Sequence, residues 1–127
     1  MPSDTRPQPS TQVAHDHVRF DFEKLDCYQV ALEFNALSGR LVPRGHRELR
    51  DQLTRARLSI VLNCAESAGR TAPADKAHFI AIARGSAMEC AAIVDVLRVL
   101  EVIGEEEQAH ASDLLARVVA MLTRLCR

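Results

Sequence analysis

Residues 79–100, FIAIARGSAMECAAIVDVLRVL, decide the fold class of this 127-residue chain. Apolar or small side chains recur there at alternating spacings of four and three residues, which places them on one face of a helix. These positions are Phe79, Ala83, Ser86, Cys90, Ile93, Leu97 and Leu100. A series of this length without a slip predicts a long amphipathic helix packed against other helices.

Three further segments have the same helical period. A first helix is predicted over about residues 22–41 with Asp21 as its cap, a second from Glu48 to Gly69, and a fourth after Gly104, where the third helix is expected to end. Gly69 is expected in the left-handed conformation that ends many helices. The core-facing stripe predicted for the first helix is Cys27, Val30, Phe34, Leu37 and Leu41. The stripe of the second helix is Leu49, Leu53, Ala56 and Ile60, followed by the polar Asn63, and that of the fourth is Ala111, Leu115, Val118, Leu122 and Leu125.

Short connections between four helices favour an all-α fold, an antiparallel up-down-up-down four-helix bundle. The bundle domain is predicted over residues 21–127. Residues 1–20 are polar and contain proline without any periodicity, so they are predicted to be a disordered tail. A chain of this length buries enough surface to fold without disulfides or a metal.

The sequence also indicates a compartment. No apolar run is long enough to cross a membrane, and the polar start lacks the apolar segment of a signal peptide. The four cysteines are widely spaced, and three of them lie within apolar runs, as free thiols in a reducing compartment do. We therefore expect a cytoplasmic protein that does not bind membranes.

The second and third helices carry more apolar residues than one bundle core requires. Residues 58–68, LSIVLNCAESA, are apolar or small on nearly every side, and Ile80, Ile82, Ala87 and Val94 flank the main series of the third helix. A helix of this kind is buried on more than one side. The pattern favours a homo-oligomer, and the alternative is a thick core with scattered exposed apolar groups.

A polar face interrupts this apolar region. Its members on the second helix are spaced by four, four, three and four residues, and three polar residues of the third helix lie at matching levels. They are Arg55, Ser59, Asn63, Glu66 and Arg70, with Arg84, Ser86 and Glu89. Because a buried charge must be paired, we expect Arg84–Glu66 and Arg55–Glu89 salt bridges. The cluster is either a structural network or a ligand pocket.

The net charge of −1 conceals two charged segments. Residues 40–57 contain six arginines and two acids, a local +4, and residues 95–113 contain six acids and one arginine, a local −5. Arginine forks match phosphate oxygens, so the first segment is a candidate RNA or DNA site. Its candidate residues are Arg40, Arg44, Arg47, Arg50 and Arg57. Otherwise the two segments keep the protein soluble or steer neighbouring subunits during assembly.

Neither a metal site nor catalysis is expected. Cys27, Cys64, Cys126 and His78 fall toward one end of the predicted bundle, but they lack the short spacings of zinc ligands. No histidine has a nucleophile at helical spacing, and no phosphate-cradling glycine loop occurs. We expect a protein without cofactor, metal or enzymatic activity.

Several of these residues resemble the signature of a known family. The segments are Gln52-Leu53-Thr54-Arg55-Ala56, Ser59-Ile60, Asn63-Cys64-Ala65-Glu66, Gly69-Arg70, Phe79 and Ala83-Arg84-Gly85-Ser86 with Glu89. They resemble the small four-helix-bundle proteins encoded in intervening sequences of bacterial 23S ribosomal RNA genes. The accessory variability determinant of diversity-generating retroelements is similar in fold.

The resemblance covers about residues 22–125. It implies a homopentameric ring of antiparallel bundles, a link to nucleic acid or to a scaffold role, and no enzymatic activity. Ser67 departs from the pattern, where a glycine is usual, and Cys64 stands in place of a common isoleucine. A protein-protein assembly factor without a nucleic-acid role, or a binder of small ligands at the polar cluster, remains an alternative.

Overall fold

The computed structural model describes residues 19–126, which form four α-helices. A short 3-10 helix, Asp21–Lys24, precedes them. The helices are α1 (Asp26–Ser38), α2 (Arg47–Gly69), α3 (Pro73–Val99) and α4 (Glu105–Leu125). No strand occurs among these residues, so the predicted all-α class and the number of helices are confirmed. Residues 1–18 of the predicted N-terminal tail lie outside the described residues.

The helices pack in the cyclic order α1, α2, α3, α4, with the most extensive contact between α2 and α3. Two hydrogen bonds fix the register of α3 and α4. Gln108 Nε2 donates to Asp95 Oδ1 over 3.1 Å, and Arg84 Nε donates to Thr123 Oγ1 over 2.9 Å. The last turns of α3 therefore lie beside the first turn of α4, and the middle of α3 lies beside the end of α4.

All four helices contribute to one apolar core. Its largest fully buried side chains include Phe34 of α1, Ile60 of α2, Leu97 of α3 and Leu122 of α4. Each such side chain contributes roughly 1.5–3 kcal/mol by leaving water. In α1 and α4 most of the predicted apolar positions are buried, but Leu125 is exposed at the last residue of its helix.

The buried face of α3 includes most of the predicted series but is wider than it. Ile80, Ala87 and Val94 are fully or almost fully buried, whereas Phe79 and Ser86 are half-buried and Leu100 is exposed. The reason is that α3 contacts both α2 and α4, so its buried face is wider than the seam of a two-helix contact. Of the four residues predicted to flank the series, Ile80, Ala87 and Val94 belong to the core, and Ile82 is exposed.

Some predicted helix ends are wrong. The first helix begins at Asp26 and ends at Ser38, and Asp21 caps nothing, because it lies in the 3-10 helix. α3 ends at Val99, five residues before Gly104, and Glu101 follows in a left-handed conformation with φ of 59°. Gly104 instead precedes α4, where its N–H donates to Glu107 Oε1 over 3.0 Å.

The end of α2 also differs from the prediction. None of the glycines in residues 19–126 has a positive φ, so Gly69 is not left-handed. The chain leaves the helix through Arg70, which is extended and whose N–H donates to the backbone oxygen of Ser67 over 3.3 Å. Because Pro73 occupies the first turn of α3, only residues 70–72 connect the two helices.

Candidate functional site

Four of the five predicted phosphate-binding arginines form one exposed group, here called the basic surface: Arg40, Arg44, Arg47 and Arg50. They lie on the connection between α1 and α2 and on the first turn of α2. Arg47 has a loose ion pair with Asp51 at 3.9 Å, in which both side chains are mostly exposed. Such a pair contributes little to stability, so these guanidinium groups are available to a partner.

Two apolar side chains hold the basic surface in place. Leu41 and Val42 follow Arg40 directly and are buried in the core. Pro43 then begins a turn, in which the His46 N–H donates to the Pro43 oxygen over 3.2 Å. The connection is thus anchored from inside, and Arg40 and Arg44 lie on its solvent side.

Arg57 does not belong to the basic surface. It is half-buried, and its Nη1 donates to the backbone oxygen of Asn35 over 2.8 Å. Asn35 lies in the last turn of α1, where a cation interacts favourably with the carbonyl end of the helix. Arg57 therefore joins α2 to α1, a role that charge spacing in the sequence does not reveal.

The acidic segment, residues 95–113, lies on the end of α3, the start of α4 and their connection. Glu105, Glu106 and Glu107 occupy the exposed first turn of α4, where carboxylates favour the helix dipole. Only a loose contact of 3.9 Å joins Glu105 to Arg98. Val99, within the same segment, is 81% exposed.

The structure divides the predicted polar cluster into separate groups. One group lies between α2 and α3, where the hydroxyls of Ser59 and Ser86 share a 2.7 Å hydrogen bond. Asn63 Nδ2 donates to the backbone oxygen of Ser59 over 2.8 Å and to its hydroxyl over 3.1 Å. This group satisfies its own hydrogen bonds and fixes the register of the two helices.

A second group lies near the end of α2. Arg70 binds Glu66 one turn earlier, and its guanidinium lies 4.7 Å from the centre of the Phe79 ring. The Arg70 and Glu66 side chains are both substantially exposed. An Arg stacked on an aromatic ring and paired with a carboxylate connects α2 to α3 by a cation–π contact.

The two predicted salt bridges do not form within residues 19–126. Arg84 bonds to Thr123 of α4, and Glu66 bonds to Arg70 instead. Arg55 and Glu89 are both exposed, and no salt bridge joins them. The prediction was wrong because Arg84 lies on the side of α3 that faces α4, whereas the Ser86 hydroxyl faces α2.

Large apolar side chains remain exposed on α2 and α3. Leu62 is 62% exposed, and Leu58 lies one turn before it on the same face. Ser59 contacts Ser86, and Ser67, further along α2, contacts Lys76, earlier in α3, so Ile82, also exposed, lies at about the level of Leu62. We call Leu58, Leu62 and Ile82 the apolar strip.

Three thiols are buried and one is exposed. Burial raises the pKa of Cys90 to about 12. A hydrogen bond with Cys27, together with burial, raises the pKa of Cys64. Cys126 is exposed, and none of the four cysteines is in a disulfide. Among residues 19–126 no group of three or more His, Cys, Asp or Glu side chains could hold a metal ion.

The chain has four helices around one core and an exposed group of arginines at one connection. These features place it among small all-α proteins that present charged surfaces. More particularly, the chain belongs to the family of 23S rRNA-intervening sequence proteins, whose sequence profile matches residues 23–124. None of the curated proteins with which the chain was compared matches it. No helix within residues 19–126 is both long and apolar enough to span a bilayer.

Proposed function

We propose that the chain is a subunit of a cytoplasmic homo-oligomeric ring, a pentamer by analogy with the family resemblance, that binds RNA or DNA and catalyses no reaction. The basic surface is the observation that carries the proposal. Four exposed arginines lie within eleven residues, and Asp51 is the only acid that pairs with any of them among the described residues. Arginine binds phosphate oxygens through two parallel hydrogen bonds, which suits this surface to a nucleic-acid backbone.

We take the four helices to form an up-down-up-down bundle. The contacts of Asp95 with Gln108 and of Arg84 with Thr123 support opposite directions for α3 and α4. In this arrangement the connection that carries the basic surface and the acidic connection before α4 share one end of the bundle. A ring would repeat the basic surface once in each subunit and so raise the affinity for a long polyanion.

Binding of duplex DNA and structured RNA, measured by fluorescence anisotropy between 50 and 200 mM NaCl, tests the nucleic-acid part. If one subunit contacts the duplex and each of its four arginines neutralises one phosphate, the slope of log K against log salt is about −3.6 for DNA. Affinity should then fall roughly 150-fold over this salt range.

A matched pair of variants locates the site. Arg44→Ala/Arg50→Ala should reduce the magnitude of the slope by about 1.8, because two phosphate contacts are lost. Arg117→Ala/Arg124→Ala removes the same charge from exposed positions of α4 and should leave the slope unchanged. Absence of binding at 50 mM salt, or equal losses in both variants, would refute a role for the basic surface.

The apolar strip supports the oligomeric part. A lone subunit would leave Leu58, Leu62 and Ile82 in water, whereas a neighbouring subunit would bury them. Leu62→Glu should therefore yield a smaller particle in sedimentation velocity at micromolar concentration. Ala116→Glu places the same charge on an exposed position of α4 and serves as the control. A wild-type monomer at that concentration would disprove the ring.

The acidic segment supports a second candidate function, an assembly factor that binds a basic protein. Val99 and Leu100 are exposed beside Glu101 and the carboxylates of the first turn of α4. An apolar centre with an acidic rim is the usual composition of a protein interface with a basic partner. This candidate gains support if nucleic acid fails to bind while Val99→Glu abolishes binding of a lysine-rich peptide.

A further inference from the structure

A cavity of about 390 Å³ opens between the C-terminal ends of α2 and α4 and the first turns of α3. This volume lies within the range of about 300–1,000 Å³ that is typical of small-molecule sites. Apolar side chains form most of its wall, chiefly Leu25, Pro73, Ala77, Ile80 and Leu125. The residues that line the cavity are separate in sequence from those of the basic surface, and the proposed nucleic-acid site does not include them.

Lys76 is the only charged residue among the described residues that line this cavity. It is half-buried, and its Nζ donates to the backbone oxygen of Ser67 over 3.3 Å. No salt bridge joins it to a carboxylate within residues 19–126. An ammonium group has three donors, so two remain for an anion in the cavity.

Residues near this cavity add to the positive charge of Lys76. A neighbouring cavity of about 280 Å³ shares Leu25 and Leu125 with the first and is also lined by Lys24, Asp26 and Arg124. Together the two cavities are lined by three cations and one carboxylate. A ligand with an anionic head and an apolar body would match both the charge and the wall.

We propose that the cavity beside Lys76 binds a small amphiphilic carboxylate, an alkyl or aryl acid of medium length. The carboxylate accepts hydrogen bonds from Lys76 Nζ, and the apolar body lies against Leu25, Ile80 and Leu125. A charge-assisted hydrogen bond at a half-buried amine supplies the preference for an acid over a neutral alcohol.

Calorimetric titration of the full chain with octanoate, and separately with 1-octanol, tests the proposal. Octanoate should bind one equivalent per chain, and extending the acid should tighten binding by up to about fourfold for each methylene group. Lys76→Met should weaken octanoate by about tenfold and leave octanol unchanged. Lys24→Met removes a lysine that lines only the neighbouring cavity, and it should weaken octanoate binding much less.

Ala77→Leu provides a steric test. Ala77 is exposed at the cavity, so a leucine there fills the space without entering the core. This variant should lose octanoate binding while its circular dichroism spectrum stays unchanged. Equal weakening of octanoate and octanol by Lys76→Met, or no effect of Ala77→Leu, would overturn the proposal. Binding of octanoate only with dissociation of an oligomer would identify a second copy as the occupant and would also overturn it.

Discussion

Replacement of Arg57 by methionine separates a structural arginine from those of the basic surface. Methionine keeps an unbranched apolar stem but removes the guanidinium that donates to Asn35 at the end of α1. Hydrogen bonds from charged groups contribute about 1.5–3 kcal/mol, and the helix dipole adds about 0.3–1 kcal/mol. The lower part of this range applies, because the Asn35 oxygen still accepts from the Gly39 N–H and the Ser38 hydroxyl, each over 3.3 Å.

We therefore expect Arg57→Met to reduce the free energy of unfolding by about 2 kcal/mol, equivalent to roughly 8 °C in Tm for a chain of this size. Urea denaturation followed by circular dichroism at 222 nm measures the change. All samples need the same protein concentration, because an oligomer would make the midpoint concentration-dependent.

Arg55→Met is the matched control. It removes the same charge two residues earlier, at an exposed position, and should change stability by less than about 0.5 kcal/mol. In the anisotropy assay Arg57→Met should keep the wild-type salt slope, whereas Arg50→Met should reduce its magnitude by about 0.9. If the two methionine variants at positions 55 and 57 unfold at the same urea concentration, the assigned role of Arg57 is wrong.

Two further predictions concern the core. The pKa of Cys90 rises to about 12 in the folded chain, so the unfolded thiol, with its ordinary pKa of 9.0, ionises first as pH increases. Stability should therefore fall above pH 9. Cys90→Ala should lessen this fall by up to about 1.4 kcal/mol per pH unit, and urea midpoints measured against pH would show the change. Leu122→Ala should reduce the free energy of unfolding by about 2–5 kcal/mol, measured by thermal unfolding. Leu125→Ala, at an exposed helix end, should reduce it by less than about 1 kcal/mol. Equal losses would contradict the burial of Leu122.

Periodicity predicted the helices well and their ends poorly. In α4 the predicted positions Ala111, Leu115, Val118 and Leu122 are buried as expected, because they recur at helical spacing on the face that packs against α1 and α3. Leu125 fits the same period but lies where the helix ends, and periodicity carries no information on termination. Leu41 shows the reverse, since it is buried although α1 ends at Ser38. Leu41 is buried by the path of the connection between α1 and α2, which helical periodicity does not predict.

The candidate site was predictable only as a collection of residues. Charge counting found the arginines of the basic surface, because they are close together in the sequence and their exposure does not depend on how the helices pack. It could not separate Arg57 from them, since the face of α2 that meets α1 is known only once the helices are packed. Ser67 illustrates the same limit. Its hydroxyl donates to the backbone oxygen of Cys64 over 2.7 Å, so the position at which the resemblance implied glycine accommodates a buried serine.

Assembly and nucleic-acid binding depend on different forces, and salt can separate them. Contacts through the apolar strip would persist or strengthen as salt increases, because burial of apolar surface does not depend on counterions. Phosphate contacts through the basic surface weaken steeply under the same change. If the acidic segment of one subunit were instead bound to the basic surface of the next, salt would dissociate the ring, and the arginines would become available only as the ring came apart. Sedimentation at 50 and 500 mM NaCl therefore determines whether the basic surface faces solvent or a neighbouring subunit.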